Sequence, residues 1–555
     1  MGAIRRTGLL VLALGALASA PSGALAAAPP PTVVRDVMTG SYTLGTMPVA
    51  SGTDPIQDWI QPDTQIEPSI AVNPANPKNV VAVYQEGRIA SGGDATNGFA
   101  SSFDGGATWS SGELPKLTHQ VGQGGIWERA SDAVAAFGPN NVVYANSLVF
   151  DQDEDSGLPS GIAVNVSKDG GRTWSDPVVF QDDEIGGLND KNWIVVDNSD
   201  APGHHKGRVY VIWDRVAPVV YDYCDHDCDK LENWLPNLQT IPGIVFPGQG
   251  IGAYPVVRKD GGLAIVMNTT ASGLPTGLGG EGEPDVALDS QVLIAAPEAG
   301  STPWPAPLAF LPPVQIASNQ TNTVRAQRAS DGLPAAVVDP KSGTLYAVWD
   351  DGRFRSDKAN DAVIASSTDG GTTWGPVTRV NPGPKDDSVD HFNVTVAVND
   401  QGYVEVAYRQ RQEAASGQAK DFSPLIDTYL QESRDGGKTF GAPLKVDSIP
   451  SNALYGAFSR NGTFEGDYNE TASGGGYTYV VRDQGQPLAA NEPPALQPAA
   501  DKVVLTEAGK GHQHQRTWVA LVRDVAPARP HVRRKPRCAR HHRARRCTRR
   551  AHKHS

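Results

Sequence analysis

Acidic and basic residues gather at one kind of place in this chain, just ahead of short runs rich in Val, Ile, Ala and Tyr. They are Glu67, Arg129, Asp132, Asp190, Lys191, Asp331, Asp390, His391, Glu465 and Asp467. Carboxylates facing one another across a funnel can split a glycosidic bond as acid and base, and a tyrosine can replace the carboxylate nucleophile where the substrate is itself anionic. The same residues, paired off as salt bridges, would only line a structural channel. Both readings stand on residue types alone.

Two further clusters carry chemistry. Asp151-Gln152-Asp153-Glu154-Asp155-Ser156-Gly157 resembles the start of a calcium loop, with Asp151, Asp153 and Asp155 as ligands; its glycine falls one place late and no terminal Glu follows at the proper distance. The other reading is an acidic solvated loop, so Ca2+ is an optional ligand and no cofactor is required. The four cysteines fall into close pairs, Cys224 with Cys228 and Cys538 with Cys547, and local disulfides are expected in an exported chain. Zinc at CDHDC would lack a second ligand pair.

The elements that must position these residues are strands. SFDGGATW from Ser102 returns as SKDGGRTW from Ser167, STDGGTTW from Ser367 and SRDGGKTF from Ser433. The long middle step is about three short ones, which places two degenerate copies between. One is APEAGSTPW from Ala296 to Trp304. The other lies near CDHDC and Trp234, where a disulfide-closed turn replaces a hydrogen-bonded one. Ahead of each unit come two strand-like runs split by a Gly, Asn, Pro or Asp turn, beginning at Pro68, Ser131, Asn192, Tyr254, Leu333, Asn393 and Tyr468. Helical periodicity is nearly absent. The expectation is an all-β protein, a β-propeller of four-stranded antiparallel blades, seven by repeat count with six as the alternative. A strand around Thr32 to Leu44 closes the ring. In each box the aspartate can accept backbone N–H bonds, the glycines take φ > 0 and the closing aromatic packs between sheets, so the phrase reads as a turn staple.

With these boxes the chain resembles the Asp-box, or BNR-repeat, propellers, whose best-known members are the sialidases. The resemblance spans roughly Asp63 to Asp524. It implies further site residues by context. Arg88 in EGRIASGGD matches a family arginine, Asp94 the loop aspartate that serves as acid/base, and Tyr468 in GDYNETASGGG the nucleophile, polarised by Glu465 or Glu470. Arg409 in VEVAYRQR matches a second arginine, and Arg328 or Arg353 the third. Independently of the resemblance, Asp132, Asp190, Asp331 and His391 at the strand entries read as a substrate-binding rim. Ile66 stands where the family carries its carboxylate-gripping arginine, and sialidases have six blades.

The ends differ from the body. Arg5-Arg6, an apolar run Leu9–Ala18 and Ala24-Leu25-Ala26 form the layout of a secretory signal peptide over 1–26, followed by an N-terminal segment over 27–60 and the propeller over 61–525. Net charge is −13, but from Arg529 onward there are 12 Lys/Arg and no acid, leaving −25 on the rest. Residues 526–555 therefore read as a disordered basic tail able to hold acidic envelope polymers, beside a body too acidic to favour nucleic acid. The sequence points to a secreted, monomeric, sialidase-like exo-glycosidase acting on glycan termini, with cell-surface association through the tail as an option; the alternative is a non-catalytic propeller that binds carbohydrate or cell surface.

Overall fold

The computed structural model describes residues 30–524 apart from 40–43, 45–58, 122–123, 152–158, 181–188, 216–217, 236–242, 249, 271–289, 296–307, 330–331, 413–421, 460–461, 500–501 and 510. The signal-peptide segment, the basic tail with Cys538 and Cys547, the box remnant at Ala296–Trp304, and Asp153, Asp155 and Asp331 lie outside the described residues.

Strands make up nearly all regular structure, and the helical segments are single 3-10 turns such as Pro139–Asn141 and Ala453–Tyr455. Among the described residues no helix is long and apolar enough to cross a membrane. The strands form antiparallel meanders in which each pairs with the next in sequence. The first comprises Ile60–Val72, Val80–Ile89, Asp94–Ser102 and Ser110–Glu113. The pattern repeats from Arg129, Asp190, Gly250, Ala335 and Val389. The final sheet joins Thr471–Gly474, Tyr477–Gly485 and Gln515–Arg523, and the N-terminal strand Thr32–Met38 lies antiparallel on its outer edge.

Backbone hydrogen bonds hold each sheet, but the ladders that cross between sheets are single-residue contacts, Thr64 with Gln515 and Asp94 with Ala130. Cohesion between sheets must therefore come from apolar burial, about 1.5–3 kcal/mol for each fully buried Val, Ile, Leu or Phe. Ile70 and Val80 of the first sheet pack against Val481 and Leu521 of the final one. Val81 and Val83 meet Ala135 and Val143, and Val134 and Val164 meet Ile194 and Val211. Ile212 meets Ile265, Val266 meets Ala347, and Val348 meets Val394. Ala407 and Leu430 meet Val480 and Ala520 of the final sheet, which returns the series to its start. This is the propeller-like arrangement that the repeats predict.

The repeated turns act as staples. Asp104 Oδ1 accepts from the backbone N–H groups of Ala107 and Thr108, both at 2.9 Å, and Oδ2 accepts from Thr108 Oγ1 at 2.7 Å. Asp169, Asp369 and Asp435 repeat the carboxylate-to-threonine contacts. Gly105 and Gly106 both have positive φ, which a side chain would strain. The closing aromatic reaches back to the preceding sheet: Trp109 joins the Tyr479–Leu521 cluster, and Trp174 lies 5.5 Å from Phe99. Where the third sheet has no such box, Cys224 and Cys228 are disulfide-bonded. Trp234 donates its indole N–H to the Cys228 carbonyl at 3.0 Å and stacks on Phe180 at 4.6 Å. The covalent turn and its tryptophan do the work that aspartate and its tryptophan do elsewhere.

Candidate functional site

Each innermost strand is entered through a left-handed residue: Glu67, Asp132, Lys191, Gly252, Gly332, Asn393 and Gly466 all have positive φ. At Glu67, Asp132, Lys191, Gly252 and Asn393 the strand register slips there, which marks a bulge. Glycine satisfies this backbone at three places without cost. Glu67, Asp132 and Lys191 instead accept a conformation that side chains avoid, and strain of that kind gathers at functional sites.

Those three side chains meet at one buried cluster. Lys191 Nζ lies 2.6 Å from Asp467 Oδ2 and 3.9 Å from Glu67 Oε1. Arg328 grips the same Asp467 carboxylate with two nitrogens, at 3.1 and 2.7 Å. Glu67 accepts from the Asp467 backbone N–H at 2.8 Å and from the Gln85 amide. Tyr468 stands beside them, with Lys191 Nζ 5.6 Å from its ring centre and Trp193 edge-on at 5.4 Å. Its hydroxyl is buried, with the Gln85 side-chain amide beside it. Trp193 in turn packs on Tyr254 at 4.2 Å, and these aromatics line an axial cavity of about 30 Å³, room for water but not for a sugar.

Burial dominates the electrostatics. It pushes Glu67 up to about 8 against the opposing pull of Lys191, with Asp467 and Asp132 adding to the rise. Asp190, whose Oδ1 accepts from the Lys191 backbone N–H at 2.8 Å, is pushed up to about 6, again chiefly by burial. Tyr468 is raised well above the usual phenol by burial and then by the Glu67 and Asp132 charges. Asp467 goes the other way: burial would raise it, but Arg328 and Lys191 hold it far below the carboxylate range. Groups of one chemical kind thus hold different protonation states a few ångströms apart, the arrangement acid–base sites use.

Asp94 stands at the same end of the sheets. It opens a strand that runs away from this cluster into the SFDGG turn, and register places it level with Arg88, which is itself level with Gln61 at the start of the innermost strand. Asp94 Oδ2 is 3.6 Å from Arg88 Nη1 and the residue is fully buried. The Arg88 guanidinium covers one side of the contact to Phe464 at 4.6 Å, and Arg328 approaches the same ring at 4.5 Å, so Phe464 links Asp94–Arg88 to Arg328–Asp467. A small sheet explains the burial. Gly462–Phe464 pairs with Ala457–Ser459 and with Gln327–Arg328, and Phe458 exchanges two hydrogen bonds with the Gln61 side chain at 2.8 and 2.7 Å.

Other expected residues lie elsewhere. Glu465 is bound to Arg409 and Ser451, and Arg409 also bonds Asp483 at 2.8 Å, a sealed ion-pair network. Glu470 accepts from Ser69 and the Ile70 N–H. The carboxylates acting most strongly on Tyr468 are therefore Glu67 and Asp132, rather than Glu465 or Glu470. Arg353 is paired with Asp351. His391 bonds the Asn360 carbonyl at 3.0 Å between two sheets, and burial lowers it to about 4, so it is neutral near pH 7. Asp390 accepts from the Asn360 N–H, Arg129 binds Ser91 and Gly92, and Asp151 accepts from the Glu128 N–H. Trp193 and Tyr254 were not singled out by sequence; the signal was their shared place two residues beyond a left-handed entry residue.

No family model matches the chain, and no curated protein matches it. Among solved structures it is similar to a protein of unknown function from Dyadobacter fermentans DSM 18053, with TM-score 0.41 and 10% identity over 89% of this chain and 99% of that one. It is also similar to a Hadza microbial sialidase, with TM-score 0.38 and 13% identity over 76% of this chain and 63% of that one. A third is the endosialidase of phage phi92, with TM-score 0.43 and 10% identity over 90% and 72%.

Proposed function

We propose that this protein is an exported Asp-box propeller of seven blades that acts on glycans, a sialidase-like exo-glycosidase whose working residues are Tyr468, Glu67 and Asp94. The seven left-handed entry residues support the blade count. The observation that carries the activity is the buried Tyr468 hydroxyl, with the Gln85 amide beside it and the Glu67 and Asp132 carboxylates acting on it. In this reading Glu67 takes the tyrosine proton as the phenolate attacks the anomeric carbon, and Asp94 protonates the departing oxygen. Lys191 and Arg328, both anchored on Asp467, hold positive charge in the same buried cluster. Ile66 is fully buried and supplies no grip on a substrate carboxylate, so neutral sugars suit the site at least as well as sialosides. Asp151 and the acidic loop that follows it serve as an optional Ca2+ site, and the basic tail holds acidic envelope polymers.

A specific observation favours a second reading, a non-catalytic glycan-binding propeller. Arg88, Arg328 and Arg409 are each committed to an internal carboxylate, and the axial cavity holds no sugar. Incubating wild type, Tyr468→Phe and Asp94→Ala with a panel of fluorogenic glycosides, sialosides included, separates the two. Turnover by wild type that both variants lose supports the enzyme. Retention of glycan on an array by all three, with no turnover by any, supports the binder.

A further inference from the structure

Between the strand Tyr477–Gly485 and the closing strand Gln515–Arg523 the chain makes a long excursion that returns through Gly511-His512-Gln513-His514. This segment runs straight into a strand, and in extended backbone residues two apart project to one side, so His512 and His514 face the same way. What they face is Glu492. Its Oε1 lies 2.9 Å from His512 Nδ1 and 2.8 Å from His514 Nε2, and the three ligand atoms all fall within 4.8 Å of one another.

Two imidazole nitrogens and one carboxylate oxygen converging on a point are the donor set of a borderline divalent transition ion. Ligands held at about 2.0–2.2 Å around a tetrahedral zinc ion stand roughly 3.4 Å apart, so the cluster needs to open by only about half an ångström. A second, independent feature points the same way. The other ring nitrogen of His514, Nδ1, lies 2.6 Å from Asp63 Oδ2, and Asp63 is itself fixed by Arg516. A carboxylate on one imidazole nitrogen fixes the tautomer and frees the other nitrogen as ligand, the outer shell that metal-binding histidines carry.

The backbone pins the group. The His514 N–H donates to the Tyr455 carbonyl at 2.7 Å, and the Tyr455 hydroxyl donates to the Glu492 carbonyl at 2.7 Å. His514 is buried, whereas His512 and Glu492 are half-buried and give an ion a path from solvent. Asp63 belongs to the first sheet and the other three residues to the excursion between two strands of the last. The proposed glycosidase chemistry does not use the cluster.

We propose that Glu492, His512 and His514 bind one divalent transition-metal ion of the Zn2+ class, with Asp63 as the outer carboxylate that orients His514 and with water completing the coordination. The ion closes the 486–514 excursion on itself, joining Glu492 near its start to His512 and His514 at its end.

The test uses the full chain, freed of metal with a chelator and then titrated with Zn2+ by calorimetry and with Co2+ by visible absorption. The tail also contains histidines, so the result is read as the difference between proteins that all keep it. Wild type takes up one ion more than Glu492→Gln or His514→Asn, and the Co2+ ligand-field bands of that ion vanish in both. Asp63→Asn keeps the stoichiometry and weakens binding about 10- to 100-fold. His512→Ala alters a half-exposed ring and guards against variants that fail to fold. A folded His512→Ala protein that binds as wild type does, or a wild type that takes up no such ion, overturns the proposal and leaves the cluster as a network of ion pairs.

Discussion

Lys191 and Asp467, 276 residues apart in sequence, meet at 2.6 Å, and Arg328 closes on the same carboxylate from its other side. Asp467 and Lys191 are both buried, so each charge depends on the other for its solvation. Replacing Asp467 with Asn leaves two cations without their counterion. Breaking a buried pair in this way costs about 3–5 kcal/mol. Urea unfolding should show Asp467→Asn less stable by that order, whereas Arg328→Gln, at a partly exposed position, should cost visibly less. Equal costs would mean that Lys191 draws its compensation from Glu67 instead.

If Glu67 accepts the Tyr468 proton, its pKa governs the rate. Burial raises Glu67 to about 8, so at neutral pH most of the population is protonated and cannot act as a base. Turnover of any accepted glycoside should therefore climb with pH and level off above about 8. Glu67→Gln should remove that climb and lower kcat by roughly 10²–10⁴, the usual worth of a positioned base. A rate that falls through the same range would make Glu67 the proton donor.

The turn chemistry and the sheet order were legible because both are local. A carboxylate that caps four donors needs S-x-D-G-G-x-T in that order, and a strand needs its alternating β-branched residues. The rim of charged residues was legible in part: Glu67, Asp132, Asp190, Lys191 and Asp467 converge, whereas Arg129, Asp390, His391 and Glu465 bond elsewhere. Their pairing was not. Glu465 and Tyr468 are three residues apart, yet the left-handed backbone at Gly466 separates them, with Glu465 on Arg409 and Tyr468 by Glu67, four hundred positions away. Position in a motif could not show, either, that Arg88 and Arg409 each end in an internal ion pair.

The repeated turns should give the protein a specific acid sensitivity. Hydrogen bonds from the Thr373 hydroxyl and N–H hold Asp369 at about 2, and Thr439 does the same for Asp435. A carboxyl whose folded value is depressed stabilises the protein above its unfolded value near 4 and loses that contribution as pH falls toward 2. These carboxylates are exposed, so each contributes modestly. Thermal midpoints measured from pH 5 to pH 2 should fall less steeply for Asp435→Asn than for wild type. His391 acts in a higher window: burial lowers it to about 4 from an ordinary 6.5, so its neutral ring favours the fold above pH 6.5 and that advantage shrinks as pH drops to 4. His391→Gln should flatten the curve there and nowhere else.

The disulfide offers the sharpest test of the idea that one turn can be stapled in two ways. Cys224 and Cys228 close a short loop, for which chain entropy alone is worth about 2 kcal/mol, less than a long loop would gain. Reduction also frees Trp234, whose indole bonds the Cys228 carbonyl and stacks on Phe180 in the cluster shared by two sheets. The loss should therefore exceed the entropic figure and fall on the interface between those sheets. Hydrogen exchange of the double variant Cys224→Ser, Cys228→Ser should show faster opening of Val178–Phe180 and Trp234–Leu235, with the Ser367 and Ser433 turns unchanged. Protection that drops evenly across the molecule would mean the bridge steadies the whole ring instead of this one turn.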